Sequence, residues 1–228
     1  MQDKCKVPRN LPNILSIIRV ILVPVFVASL LITRHSGIWG VIVPTLVYIL
    51  TAITDALDGH IARKYNLISE FGKFIDPLAD KFMVIASQIA ILAWMIMTQP
   101  FPRMIDKIFV YVYIFAVVII LLRELTVTGL RLAVVGKVDV AASIFGKLKT
   151  VSQMVGTVLL IVCWKATLYV TKTDLEIPVI TPLLENHIVL FVTVAIMLFT
   201  TVWSMVEYIK AYLPHIDFTG NKTYGQEE

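Results

Sequence analysis

Asp55, Asp58, Asp76 and Asp80 lie within one short stretch, DALDGHIARKYNLISEFGKFIDPLADK, of a chain with only sixteen acidic residues. Read as helix, Asp55, Asp58, Gly59 and Ala62 stand at i, i+3, i+4 and i+7, on a single face. Gly72, Asp76 and Asp80 recur every four residues, again on one face. Two helices joined by a short loop pack antiparallel, which would turn the two aspartate pairs toward each other. Unit charges about 4 Å apart interact by about 4 kcal/mol at an effective dielectric near 20. Four converging carboxylates must therefore take up protons or bind cations. Carboxylates without histidine or thiolate suit hard ions such as Mg²⁺, Mn²⁺ or Ca²⁺ rather than zinc. A pair of such ions about 3.5–4 Å apart suits in-line attack at phosphorus.

The residues between the aspartates fit the same chemistry. Gly59 and Gly72, lacking side chains, allow a flat ligand or another backbone to come close. Ala62 extends that smooth strip, and Arg63 offers a fork of donors to phosphate. Blander readings stand beside these. Asp76 before Pro77 reads as an N-cap with proline at the first helical position, and Gly59 reads as a helix stop. A third helix starting near Ser69 would instead enclose Pro77. Arg63 and Lys64 also fit as cytoplasmic anchoring charges.

The elements that must position these residues are membrane helices. The chain has 228 residues, 58% hydrophobic and only 16% charged, with a mean hydropathy of +0.83; soluble domains carry about 25% charged residues. Six segments approach the roughly 20 apolar residues needed to cross the hydrocarbon core: 11–32, 38–57, 74–97, 108–130, 148–169 and 188–213. The first is too long for a signal peptide's apolar region of about 7–15 residues and reads as a retained span. The expectation is an all-α polytopic bundle of six transmembrane helices, residues 1–228 forming one domain, with a metal site on the cytoplasmic side. In that arrangement twelve lysines and arginines fall on the side of both termini and the motif, against five on the other. The excess puts both termini and the active site in the cytoplasm of a cell-membrane protein. Basic residues confined to short loops between apolar runs explain the net charge of +4 without nucleic acid as a partner. Cys5 in the polar tail and Cys163 in an apolar run imply no disulfide framework.

Asp55, Asp58, Gly59, Ala62, Arg63, Gly72, Asp76 and Asp80 spell D-x2-D-G-x2-A-R-x8-G-x3-D-x3-D without gap or substitution. That pattern resembles the signature of the CDP-alcohol phosphotransferases, six-span membrane enzymes of phospholipid synthesis. NLPNILSIIRVILVPVFV at 10–27, RELTVTGLR at 123–131 and GKLKTVSQM at 146–154 look closest to the phosphatidylglycerophosphate synthase branch. The similarity covers roughly residues 10–213 and fades at 165–187. It implies transfer of a phosphatidyl group from CDP-diacylglycerol to glycerol 3-phosphate, with a divalent cation, Mg²⁺ or Mn²⁺, as two ions. It gives Asp55, Asp58, Asp76 and Asp80 as metal ligands and Asp80 also as general base. Gly59, Ala62, Arg63 and Gly72, with Asn13, would line the CDP-diacylglycerol site, and a homodimer is implied by the family alone.

A dianionic acceptor calls for nearby cations, and Arg123, Arg131 and Lys147 are the candidates for the glycerol-phosphate site. An unpaired cation near the end of an apolar span is costly, so Arg123 is either functional or paired. Its neighbour Glu124 is an awkward partner, since adjacent helical residues do not face each other. Lys149 reads as a solvated loop charge and Arg19 as a residue that snorkels or pairs within the bundle. The four histidines show no metal spacing, and Trp39, Trp94, Trp164 and Trp203 read as interface anchors. Other acceptors, such as inositol phosphate or serine, remain open within the family. Membrane prenyltransferases resemble two separated aspartate-rich motifs over more spans. A cation transporter would give the D-G-x2-A-R spacing no purpose.

Overall fold

The computed structural model describes residues 11–65, 70–98, 103–134, 144–173 and 180–215, and the side chains of these except 11–13, 55–78, 80, 133 and 172. Among the described residues every regular element is helical. The long helices are α1 (Leu11–Ile32), α2 (Trp39–Tyr65), α3 (Glu70–Met97), α4 (Met104–Ala133) and α5 (Ile144–Thr173). A short α6 (Ile180–Glu185) precedes α7 (Ile188–Tyr212), and single 3-10 turns follow α1 and α7. Helices α1, α4, α5 and α7 are each long and apolar enough to cross a membrane. The described apolar parts of α2 and α3 are shorter, Trp39–Thr54 and Lys81–Met97.

Helix α1 lies along both α2 and α3, α7 packs on α4 and α5, and α5 joins the two groups through α2 and α3. Consecutive long helices alternate in direction, so the bundle has two chemically distinct ends. One carries the α2–α3 junction, the end of α4, the start of α5 and the end of α7. The other carries the end of α1, the starts of α2, α4 and α7, and the ends of α3 and α5.

Large side chains fill the interior, among them Phe26, Leu30, Trp94, Phe109, Tyr113, Leu160 and Trp164, each at most 2% exposed. The outer surface is also apolar. Ile21, Leu46, Leu50, Tyr111, Phe115, Leu122, Val155, Ile196 and Phe199 all project outward, a continuous exposure that only lipid would tolerate. Trp39 and Trp203 stand on that surface as expected of anchors, but Trp94 and Trp164 do not. These two face α-helical neighbours and serve as core.

Because lipid is as apolar as the core, burial alone cannot hold these helices together; close packing and polar bonds between helices must. Tyr113 donates its hydroxyl to Gln88 Oε1 at 2.8 Å, and Gln88 Nε2 donates to Thr157 Oγ1 at 3.0 Å, tying α4, α3 and α5 in series. Ser152 meets Thr200 at 2.7 Å and Gln153 donates to Thr201 at 3.2 Å, joining α5 to α7. Trp164 Nε1 donates to Thr98 at 3.1 Å. Each such bond contributes on the order of 0.6 kcal/mol in a membrane. Between α5 and α7 the packing leaves no room at Gly156, where a Cβ would run into the Met197 side chain.

Candidate active site

Both bland readings of the aspartate stretch fail at the backbone. Helix α2 continues past Gly59 to Tyr65, so Gly59 does not stop it. Helix α3 begins at Glu70, so Asp76 and Pro77 lie within it and Asp76 caps nothing. Asp55 and Asp58 therefore stand on the last turns of one helix, and Asp76 and Asp80 one turn apart on the next. The side chains of these four, and of Asn13, Gly59, Ala62, Arg63 and Gly72, lie outside the described residues. Among the described residues α2 and α3 each pack chiefly on α1 rather than on one another.

At the same end of the bundle the described residues form a buried charged cluster. Glu124 Oε1 accepts hydrogen bonds from Arg123 Nη1 at 3.1 Å and from the Lys149 ammonium. Arg123 Nη2 donates to Ser204 Oγ on α7 at 2.7 Å, while its Nε is buried with no hydrogen-bond acceptor among the described residues. The Arg123 guanidinium carbon lies 5.7 Å from the centre of the Tyr208 ring, and that of Arg131 lies 5.9 Å from the same ring. Arg123, Glu124 and Lys149 are nearly inaccessible, whereas Arg131 and Lys147 are exposed.

Two expectations need correction here. Lys149 is no loop charge: α5 starts at Ile144, which carries Lys149 into the helix and against α4. Arg123 and Glu124 do meet despite being adjacent, because both long side chains bend into the same contact with α5 and α7. Glu124, set aside above as an awkward partner for Arg123, is the centre of the cluster, with Ser204 and Tyr208 beside it. An acid inside an apolar span was the available signal for Glu124; nothing local marks the other two.

Glu124 shares one carboxylate between two buried cations, so its removal takes an ion-pair partner from each. Truncating one partner of a buried pair costs about 3–5 kcal/mol. Glu124→Ala is expected to lower the thermal unfolding midpoint in detergent well below that of Leu125→Ala, a lipid-facing control. Equal midpoints would show that the cluster is not structural.

A second polar group occupies the opposite end. Asp106 Oδ1 accepts from Arg103 Nη2 at 3.0 Å and from His187 Nε2 at 2.7 Å; a carboxylate can only accept, so the Nε2–H tautomer is present. His187 stacks against Trp164 and lies beside Phe109, both at 5.5 Å. Burial lowers its pKa, with the Asp106 hydrogen bond opposing, so the ring is neutral at pH 7. The backbone of His187 is left-handed, φ 53°, a strain of about 1–3 kcal/mol that the Asp106 contact holds in place. This pair spans 81 positions in sequence, beyond any spacing rule.

Outward apolar faces, interhelical polar bonds and charged groups gathered at the bundle ends define an integral membrane protein of the all-helical class. Residues 9–205 match the CDP-alcohol phosphatidyltransferase family, and the chain belongs to it. It is 35% identical over 162 residues to the CDP-diacylglycerol–glycerol-3-phosphate 3-phosphatidyltransferase of Bacillus subtilis (strain 168), covering 64% of this chain and 73% of that protein. The proteins of the same name from Salmonella typhimurium and Escherichia coli K12 are 32% and 31% identical over 209 residues, 89% of this chain and 94% of theirs.

Proposed function

We propose that this chain transfers the phosphatidyl group of CDP-diacylglycerol to the hydroxyl of glycerol 3-phosphate, releasing CMP and phosphatidylglycerol phosphate. The observation that carries the reading is the unbroken eight-residue signature on the adjoining ends of α2 and α3, in a chain whose relatives bear that enzyme's name over nearly their full length. Four carboxylates on two helix ends form an all-oxygen donor set that fits Mg²⁺ or Mn²⁺. Asp55, Asp58, Asp76 and Asp80 would hold two such ions, which when bound supply positive charge to the diphosphate and acidify the acceptor hydroxyl.

The chain's own residues do the rest. Asp80 takes the hydroxyl proton as the acceptor oxygen bonds to the phosphatidyl phosphorus and the bond to the CMP oxygen breaks. Arg63 donates to the diphosphate, with Gly59, Ala62 and Gly72 allowing close approach and Asn13 assisting. Arg123, Arg131 and Lys147 receive the acceptor's phosphate. The Arg123 Nε, without an acceptor among the described residues, supports that role, since an anion reaching it would gain a charge-assisted bond.

CMP release from CDP-diacylglycerol, measured with glycerol 3-phosphate, glycerol, serine and inositol phosphate in turn, tests the proposal. Glycerol 3-phosphate should be the preferred acceptor and glycerol a poor one. Arg123→Ala or Arg131→Ala should raise the KM for glycerol 3-phosphate at least tenfold, about 1.4 kcal/mol, and leave CDP-diacylglycerol affinity unchanged. Equal use of glycerol and its phosphate would overturn the assignment.

The same reading makes all six long helices spans, with the α2–α3 junction and both termini in the cytoplasm, supported by the excess of basic residues at that end. In intact cells a cysteine replacing Asn66 should be protected from a membrane-impermeant thiol reagent and one replacing Ser36 should react. The reverse pattern would invert the topology.

A further inference from the structure

At the end of the bundle away from the aspartates, the helix termini line an open cavity of about 1160 Å³. Among the described residues its polar lining carries three cations, Arg34, Arg103 and Lys165, against one carboxylate, that of Asp106. Arg103 is committed to Asp106 and reaches Glu185 at 4.0 Å. Lys165 donates to the backbone carbonyl of Arg34 at 2.6 Å. Arg34 is different. Its Nε donates to His35 at 2.9 Å and its Nη1 touches the Met97 sulfur at 3.9 Å, and among the described residues no carboxylate pairs with it.

Thr98, Thr167, Thr171 and Thr173 also line it, but most of the lining surface is apolar, with Ile38, Val41 and Val162 among the residues that supply it. Ile38, Trp39 and Tyr169 are each more than 60% exposed at this rim, and aromatic residues favour the headgroup level of a bilayer. The cavity thus offers positive charge at one end and an apolar path to lipid at the other. Its volume exceeds the roughly 300–1,000 Å³ of small-ligand pockets, so a free inorganic anion would leave most of it unfilled.

We propose that this cavity binds one anionic phospholipid of the surrounding bilayer, in the leaflet opposite the aspartate motif. Its phosphate would lie against Arg34 and Lys165, and its acyl chains would leave along Val41 and Val162. The site is separate from the transfer reaction and does not depend on the acceptor assignment.

The test uses the purified full-length protein in native mass spectrometry, titrated with phosphatidylglycerol or phosphatidylcholine of matched acyl chains. One phosphatidylglycerol should survive collisional activation that strips phosphatidylcholine. Arg34→Gln should weaken that retention at least tenfold and Arg34→Lys should largely preserve it, while both variants release CMP at the parent rate. Equal retention of the two lipids, or full retention in Arg34→Gln, would overturn the proposal. Displacement of the lipid by millimolar inorganic phosphate would likewise overturn it in favour of a free-anion site. Should Arg34→Gln fail to fold, the parent in phosphatidylcholine nanodiscs decides: added phosphatidylglycerol must raise its unfolding midpoint, and no rise refutes the site.

Discussion

Asp55→Asn and Asp76→Asn are each expected to abolish CMP release while leaving the protein folded and extractable in detergent. Asparagine keeps the size of aspartate and removes its charge, so packing on α2 and α3 changes little while a hard-ion ligand is lost. The loss should be near total because the groups act together. If the four carboxylates hold two ions as proposed, every negative charge counts, and at about 4 kcal/mol per close charge pair one missing carboxylate would leave the other three unable to offset the repulsion between the cations. Excess EDTA should silence the parent protein in the same way, and added Mg²⁺ or Mn²⁺ should restore it. Full activity in EDTA would remove the metal from the mechanism and leave the aspartates with another task.

Asp80→Asn separates proton transfer from binding. If Asp80 is the general base as proposed, it contributes about 10²–10⁴-fold to turnover, so kcat should fall by that factor while CDP-diacylglycerol still binds. A metal-held carboxylate is a weak base, but coordination also lowers the pKa of the hydroxyl it serves, so the proton has little distance to travel. A variant that no longer binds the nucleotide lipid would reassign Asp80 to holding the ion alone.

The long apolar runs of the sequence all became helices, since length and hydropathy are local properties. The ends were harder to read. Helix α2 runs on through Gly59, where an internal glycine costs only about 1 kcal/mol. Helix α3 likewise runs on through Pro77. Side-chain partnership was least legible. Lys149 lies buried against Glu124 and Trp94 is fully enclosed, though each looked from its neighbours like a surface residue. In a membrane chain both the core and the surface are apolar, so hydropathy cannot tell inward from outward. Asp106 and His187 were invisible as a pair because only the tertiary fold brings α4 and α7 to that contact. The aspartate signature, by contrast, made the family legible, since its spacing lies along two short stretches of helix.

Asp55 lies sixteen residues from the start of α2 at Trp39, and Asp80 seventeen from the end of α3 at Met97, about 24–26 Å at roughly 1.5 Å per residue. A typical hydrocarbon layer is about 30 Å thick, and the apolar parts of α4, α5 and α7 are far longer. If α2 and α3 span as proposed, the bilayer beside them must thin or the polar turns must sink below the headgroups, at fractions of a kcal/mol per Å of mismatch. A lipid substrate arriving there would meet the aspartate-bearing turns at the depth of its own diphosphate, without leaving its leaflet. Acyl-chain length in the surrounding membrane then becomes a mechanical control on the reaction, acting through thickness rather than through any contact with the acceptor.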